Sequence, residues 1–364
     1  MADKIVTDVL VVGAGPAGST VARYAAESGL DVTMIERRSK VGVPVRCGEF
    51  IPCTDEIAAM FPESEGLAEL FDLPSSLVRR ELEAIRLVTP STRSYDLPFI
   101  GYSTDRDRFD QHLASEAVSA GAQLITGCAF QTVDDDSYIT SEGRIKAKVI
   151  VGADGPGSRV AQEMGLPLPR NAYPAVTAQA KGDFEPVLVM YFGGIAPGAY
   201  GWIIPKDGSA NVGVGYSPKL ADRTPAEYFR SFSEKHGFDV QTRLSGKHVP
   251  AQGPLNRITG EDYLTVGDAA GHVMAVNGGG VPLAMIGGKL AADAIFEHIR
   301  NDAPLLRYEN DCRKVLFPPL KSAARTKQMA DIFAFGSDFR TEICMRILGR
   351  RRMAKMLRCR FPFP

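Results

Sequence analysis

No apolar run in this chain approaches the roughly 20 residues of a membrane-crossing helix, so no such helix is expected. Excess charge of one sign is also lacking. The formal net charge over 364 residues is −1, which gives nucleic acid no overall field to follow. The six cysteines (Cys47, Cys53, Cys128, Cys312, Cys344 and Cys359) form no Cys-x-x-Cys pair. That argues against zinc and iron–sulfur sites and fits a reduced, cytoplasmic protein. His112, His236, His248, His272 and His298 show no ligand spacing, so no metal is expected. No Gly-x-Ser-x-Gly nucleophile elbow occurs. Residues 1–8 lack the pattern of a secretory leader, and none is expected. Internal repeats and low-complexity segments are absent. What remains is a chain long enough for two or three domains, with 45% apolar residues to fill their cores.

Its first signal is a glycine loop. Residues 6–12 read Val-Thr-Asp-Val-Leu-Val-Val, the continuous apolar run of a buried parallel strand. Gly13-Ala14-Gly15-Pro16-Ala17-Gly18 follows at once, then a helix pattern, a Gly29 stop and a second strand ending in Glu36. This is a βαβ unit carrying the dinucleotide fingerprint in its proper context. Gly13 allows the tight turn, Gly15 lets a pyrophosphate approach, and Gly18 permits close helix–strand packing. Glu36 would hydrogen-bond the adenosine ribose, which favours FAD or NAD over NADP. Arg37 beside it is a second candidate contact. No second fingerprint occurs in strand–helix context, so one dinucleotide domain is expected.

Two later motifs complete the pattern. A strand over 146–151 runs into Gly152-Ala153-Asp154-Gly155. A short strand over 263–266 delivers Asp268, and Gly278-Gly279-Gly280 then opens a long apolar helix. An uncapped helix start offers free N–H groups and partial positive charge, which suits a ligand head that becomes anionic. Between these motifs, strand patterns at 187–192, 200–204 and 210–216 surround the hairpin signal Asp207-Gly208. The expected fold class is α/β. A Rossmann-type FAD-binding domain (1–169 with 258–304) is interrupted by a mainly antiparallel substrate sheet (170–257, with parts of 45–104). A helical C-terminal region (305–364) follows.

The three motifs in this order resemble the FAD-dependent group typified by para-hydroxybenzoate hydroxylase. Pro44-Val-Arg-Cys-Gly-Glu49, Tyr200-Gly-Trp-Ile-Ile-Pro-Lys206 and the triple glycine narrow the resemblance to the geranylgeranyl reductase family, over about residues 5–300. The resemblance implies an FAD-dependent reductase that saturates double bonds of an isoprenoid chain, by hydride from flavin N5 plus protonation. It places Asp154 and Gly155 near the pyrophosphate, Asp268 on the ribityl chain, and Arg106 facing the cofactor. Cys47 and Gly48 would lie beside the flavin ring, with Gly279 and Gly280 at its anionic edge. Ala275 departs from the proline common at that place in the family. His272, Met274, Asn277 and Phe50 depart as well.

From these placements, Cys47, Glu49 and His272 are the candidate catalytic groups. Arg46, Tyr200, Trp202 and Asn277 are the candidate substrate contacts. Each also has a plain structural reading: a packed thiol, loop salt bridges, core aromatics, a buried histidine. Two other activities stay open, a flavin monooxygenase of an aromatic or quinone-like substrate and a flavoprotein electron carrier, since fold does not fix reaction. The electron donor is open among NADPH, NADH and a reduced ferredoxin-type carrier protein. An isoprenoid lipid is the expected substrate partner.

The C-terminal end has an uneven charge. After Glu342 there is no acid, while Arg346, Arg350, Arg351, Arg352, Lys355, Arg358 and Arg360 alternate with apolar residues. Either this segment packs on the body with a solvated basic face, or it attaches to anionic lipid headgroups at the inner face of a membrane.

Overall fold

The computed structural model describes residues 5–64 and 66–363. Residues 1–4, on which the leader expectation partly rests, lie outside this range. Two sheets dominate. The first has the order Gln123–Thr126, Val32–Glu36, Ile5–Val12, Gly143–Gly152, Ser137–Thr140, Phe130–Asp134, with Tyr263–Thr265 also pairing Gly143–Gly152. Its central pairs are parallel, with Val12 opposite Ile35 and Gly152. The carboxyl ends of these strands therefore open on one edge, where ligands of α/β sheets bind. Tyr263–Thr265 runs parallel too and brings Asp268 to that edge.

The helix Pro16–Glu27 covers this sheet and packs on the long helix Val281–Asn301. Gly288 makes the approach close enough. A Cβ there would stand 2.8 Å from Ala17 O. A glycine inside a helix costs about 1 kcal/mol relative to alanine, and tight packing offsets it.

The second sheet is mainly antiparallel: Asp239–Val240, Ala172–Lys181, Ser209–Gly215, Gly201–Lys206, Val187–Tyr191, Val78–Val88, Ser94–Thr104, Phe50–Pro52. Only the pairing of Val187–Tyr191 with Val78–Val88 is parallel. Asp207 and Gly208 form the two-residue hairpin turn, with Gly208 at φ +67°. Strand periodicity then splits the residues between two faces. Ile203, Ala210, Val212 and Val214 pack against Tyr228, Phe229 and Phe232 of helix Pro225–His236. Trp202, Ile204, Lys206, Asn211 and Gly213 turn the other way, toward the dinucleotide sheet. The α/β class with an antiparallel sheet and C-terminal helices is the architecture expected from sequence. No helix among the described residues is long and apolar enough to cross a membrane.

Candidate active site

The dinucleotide end is built by backbone. The Ala14 N–H donates to Glu36 Oε2 at 3.1 Å and the Arg38 N–H donates to Oε1 at 3.0 Å, so Glu36 is held at the fingerprint turn. A Cβ at Gly18 would fall 1.9 Å from Gly13 O, while one at Gly15 would meet nothing within 4 Å. Gly18 thus serves the chain's own packing, and Gly15 leaves approach room for a ligand. Asp154 Oδ2 accepts from the Arg159 N–H at 2.6 Å, yet its buried Oδ1 has no hydrogen-bond partner. Burial pushes this carboxyl up, and hydrogen bonds from Ser158 and backbone oppose it. The long helix starts at Gly280 without a side-chain cap. An unpartnered buried oxygen, an open glycine and a bare helix start fit a dinucleotide carrying hydroxyls and anionic groups.

The loop after Arg37 carries Pro44, Arg46, Cys47 and Gly48 over the second sheet. Gly48 lets it lie close, since a Cβ would stand 2.9 Å from Ile204 Cδ1. Cys47 Sγ accepts from Arg106 Nη1 at 2.9 Å and from the Glu49 N–H at 3.2 Å. Arg106 begins the helix Arg106–Ser119 and clasps Asp110, one turn on, with Nη2 at 2.8 and 3.1 Å. Burial works against the guanidinium charge, and Asp110 and Cys47 more than offset it, so Arg106 stays charged. Glu49 has φ +69°, the left-handed region that a glutamate rarely adopts. Its side chain explains why it is held there. It accepts from Lys206 Nζ at 2.7 Å, Asn211 Nδ2 at 2.8 Å and Gln179 Nε2 at 2.6 Å, and from the Arg106 N–H at 3.0 Å. Lys206 also reaches Asp105 at 2.9 Å.

Asn211 links this network to the aromatic face. It accepts from Trp202 Nε1 at 2.7 Å and donates to Cys47 O at 3.0 Å. Gly213 makes room for the indole, because a Cβ would lie 2.1 Å from Trp202 Cζ2. Tyr200, just before its strand, packs edge-on to Trp202 with ring centroids 6.1 Å apart and donates to Asn277 O. Burial pushes the Tyr200 phenol up.

One cavity of about 910 Å³ joins these parts, near the top of the roughly 300–1,000 Å³ range of ligand pockets. Gly13, Gly15, Ala17, Glu36, Arg37, Arg46, Cys47, Gly48, Glu49, Arg106, Asp154, Gly155, Tyr200, Trp202, Asp268, Asn277, Gly279 and Gly280 all line it. Its sheet side is apolar, with Ile85, Phe99, Leu188, Met190, Phe192 and Ile204.

One expectation needs correction, and two other candidates gain partners. His272 does not line the cavity. It is fully buried, its Nδ1 lies 3.0 Å from where a Gly287 Cβ would be, and neither ring nitrogen has a partner. Burial lowers its pKa to about 4, so it sits as a neutral packed ring and not as a proton donor. Asn277 faces the cavity, but its Oδ1 accepts from the Gly279 N–H at 3.0 Å. The Gly279 N–H is therefore engaged within its own loop by the Asn277 side-chain oxygen. Glu49 lines the cavity as the centre of an ion-paired network, the salt-bridge alternative its loop also allowed.

Sequence reading gave no role to Lys206, Asp105, Asn211, Gln179 or Asp110, although Lys206 closes the motif that starts at Tyr200. A signal existed for two of them: Asn211 and Gln179 are polar residues at alternating positions inside apolar strands. It also missed Lys247, which pairs with Asp268 across the two sheets.

This fold and site define a flavin-dependent oxidoreductase in which a dinucleotide-type sheet faces a mainly antiparallel sheet across one cavity. Residues 172–248 match the geranylgeranyl reductase catalytic domain, and residues 11–59 match an NAD(P)-binding Rossmann-like domain. A digeranylgeranylglycerophospholipid reductase of Methanothermobacter thermautotrophicus is 32% identical, over 88% of this chain and 86% of that one. One from Methanosarcina acetivorans is 33% identical, over 81% and 76%. The crystal structure of a geranylgeranyl bacteriochlorophyll reductase-like protein from Thermoplasma acidophilum superposes with a TM-score of 0.85 at 29% identity, over 95% of this chain and 92% of that one. The chain belongs to the geranylgeranyl reductase family.

Proposed function

We propose that this protein is an FAD-dependent reductase that saturates carbon–carbon double bonds of a geranylgeranyl-type chain carried on a glycerophospholipid. The observation that carries this reading is the single cavity. It joins the fingerprint glycines to Cys47 and continues along an apolar sheet face suited to an isoprenoid chain. Gly13, Gly15, Glu36, Asp154, Asp268 and the Gly280 helix start are the groups to hold FAD. Bound FAD, once reduced by the electron donor, would supply the hydride.

Hydride addition to an isolated alkene leaves the second carbon needing a proton. Cys47 is the proposed donor for that transfer. Both of its hydrogen bonds use sulfur as acceptor, so neither commits its proton. Loss of the proton leaves a thiolate on which the Arg106 hydrogen bond acts with full charge assistance, and water then restores the thiol. Glu49 and Lys206 fix the loop that carries the sulfur. Trp202 and Tyr200 wall the slot in which the chain lies.

Electrons enter from outside this chain, from NADPH, NADH or a reduced ferredoxin-type protein. The protein works from the cytoplasmic side of a membrane, in keeping with six free cysteines. The test is anaerobic incubation of FAD-loaded protein with unsaturated archaeal-type diether phospholipid and dithionite. Mass spectrometry should show two hydrogens gained per reduced bond. In a parallel aerobic incubation with NADPH and an aromatic substrate, oxygen incorporation into that substrate, with the lipid unchanged in the anaerobic arm, would replace this reading with the monooxygenase.

A further inference from the structure

We infer that the corner between helices Phe317–Phe333 and Asp338–Leu357 inserts into an anionic bilayer surface and sets the cavity mouth against the lipid from which substrate is drawn. This rests on the lipid-reductase reading above.

Large apolar side chains stand exposed along this corner: Ile332, Phe333, Phe339, Ile343 and Ile347, with Phe339 74% and Ile347 63% exposed. Phe339, Ile343 and Ile347 follow at intervals of four, so they share one helix face. The corner is built rather than frayed. Arg340 donates to Ile332 O and Phe333 O, and Thr341 Oγ1 donates to Ala334 O at 3.0 Å. Apolar side chains exposed on a fixed scaffold mark an interaction surface.

Charge identifies the occupant. Arg340, Arg350 and Arg351 are exposed around the apolar face. The acids of the same helix are engaged with protein. Asp338 accepts from the Gly194 N–H at 2.6 Å, and Glu342 accepts from the Ser91 N–H at 3.2 Å and from Arg346 at 2.6 Å. An apolar face ringed by arginine matches acyl chains below anionic headgroups. A second copy would set these arginines against each other.

The corner also meets the cavity. Lys327 and Phe335 line it, and Phe335 lies in the turn between the two helices, next to Phe333. The remaining tail packs on the body instead: Met353, Leu357 and Cys359 are buried and Arg358 pairs with Glu56. The sequence-based alternatives for this region therefore divide. The end of the segment is packed, and the preceding corner is the free surface.

The test is co-sedimentation of FAD-loaded protein with vesicles of phosphatidylglycerol or phosphatidylcholine. Wild type should pellet with phosphatidylglycerol, and the triple variant Phe333→Ser/Phe339→Ser/Ile347→Ser should bind at least tenfold more weakly. Both proteins should reduce detergent-dispersed lipid at equal rates, which shows that the variant is folded. Equal vesicle binding by the variant, equal binding of wild type to phosphatidylcholine, or a dimer that the variant dissolves would overturn the inference. Because vesicle binding is read without turnover, its failure leaves the reductase assignment standing, and absent turnover leaves the surface standing.

Discussion

Arg106 donates a 2.9 Å hydrogen bond from Nη1 to Cys47 Sγ while its Nη2 holds Asp110. One side chain therefore ties the first turn of the helix Arg106–Ser119 to the loop that carries the thiol. The sulfur is positioned by a buried ion pair, not by its own loop alone. Removing either charge leaves the other without its partner where both side chains are only 12% exposed. Arg106→Leu should cost about 3–5 kcal/mol of stability in urea unfolding, and Arg106→Leu/Asp110→Leu should recover much of it. Flavin absorbance and alkene reduction should not recover with it. A double variant with full activity would separate the arginine from the chemistry.

Cys47→Ser keeps size and acceptor capacity but is a poorer acid. FAD binding, followed by flavin absorbance, should stay within about twofold, while alkene reduction falls at least tenfold. Undiminished turnover would remove the thiol from the mechanism.

The fingerprint glycines should respond differently from one another. Gly15 has extended backbone (φ −80°) and open surroundings, so Gly15→Val should fold with little loss of melting temperature yet lose FAD. Gly18→Ala sets a methyl group against Gly13 O and should lower the melting temperature itself. A yellow, FAD-loaded Gly15→Val protein would refute the placement of the pyrophosphate.

His272 carries a pH dependence whose sign follows from its burial. Its folded pKa is about 4, against 6.5 when unperturbed. Between these values the unfolded chain binds a proton that the folded chain does not. Stability from this group is complete above pH 6.5 and falls as pH drops toward 4, by roughly 3 kcal/mol at about 1.4 kcal/mol per unit. His272→Leu should flatten that part of the stability–pH profile. An unchanged slope would show that the ring is protonated in the folded state.

Lys206→Met should be destabilising by about 3–5 kcal/mol, because it leaves the Glu49 carboxylate buried without its cation. Glu49→Gln/Lys206→Met should recover part of this loss in urea unfolding. If Lys206→Met is neutral, Glu49 is not held as a buried charge.

Much of the cofactor side is legible in the chain because its requirements are local. Gly13, Gly15, Gly18 and Glu36 occupy one continuous βαβ segment, and turn, helix and strand signals there all agree. Asp154 and Asp268 are legible as acids delivered at strand ends. Period-two alternation likewise sets Trp202, Lys206 and Asn211 on one face of their hairpin.

What those residues meet is a different matter. Glu49 takes Lys206 from 157 positions away and Gln179 from 130. No spacing in the chain encodes those distances. His272 sits between two site motifs in sequence, but the backbone turn at Gly271 (φ +72°) sends its ring under the long helix and away from the cavity. Local propensity and periodicity determined the strands and the glycine cradle of the dinucleotide fingerprint. The packing of two sheets from discontinuous segments decided which charges are buried, which thiol is clasped, and which apolar face is left to solvent.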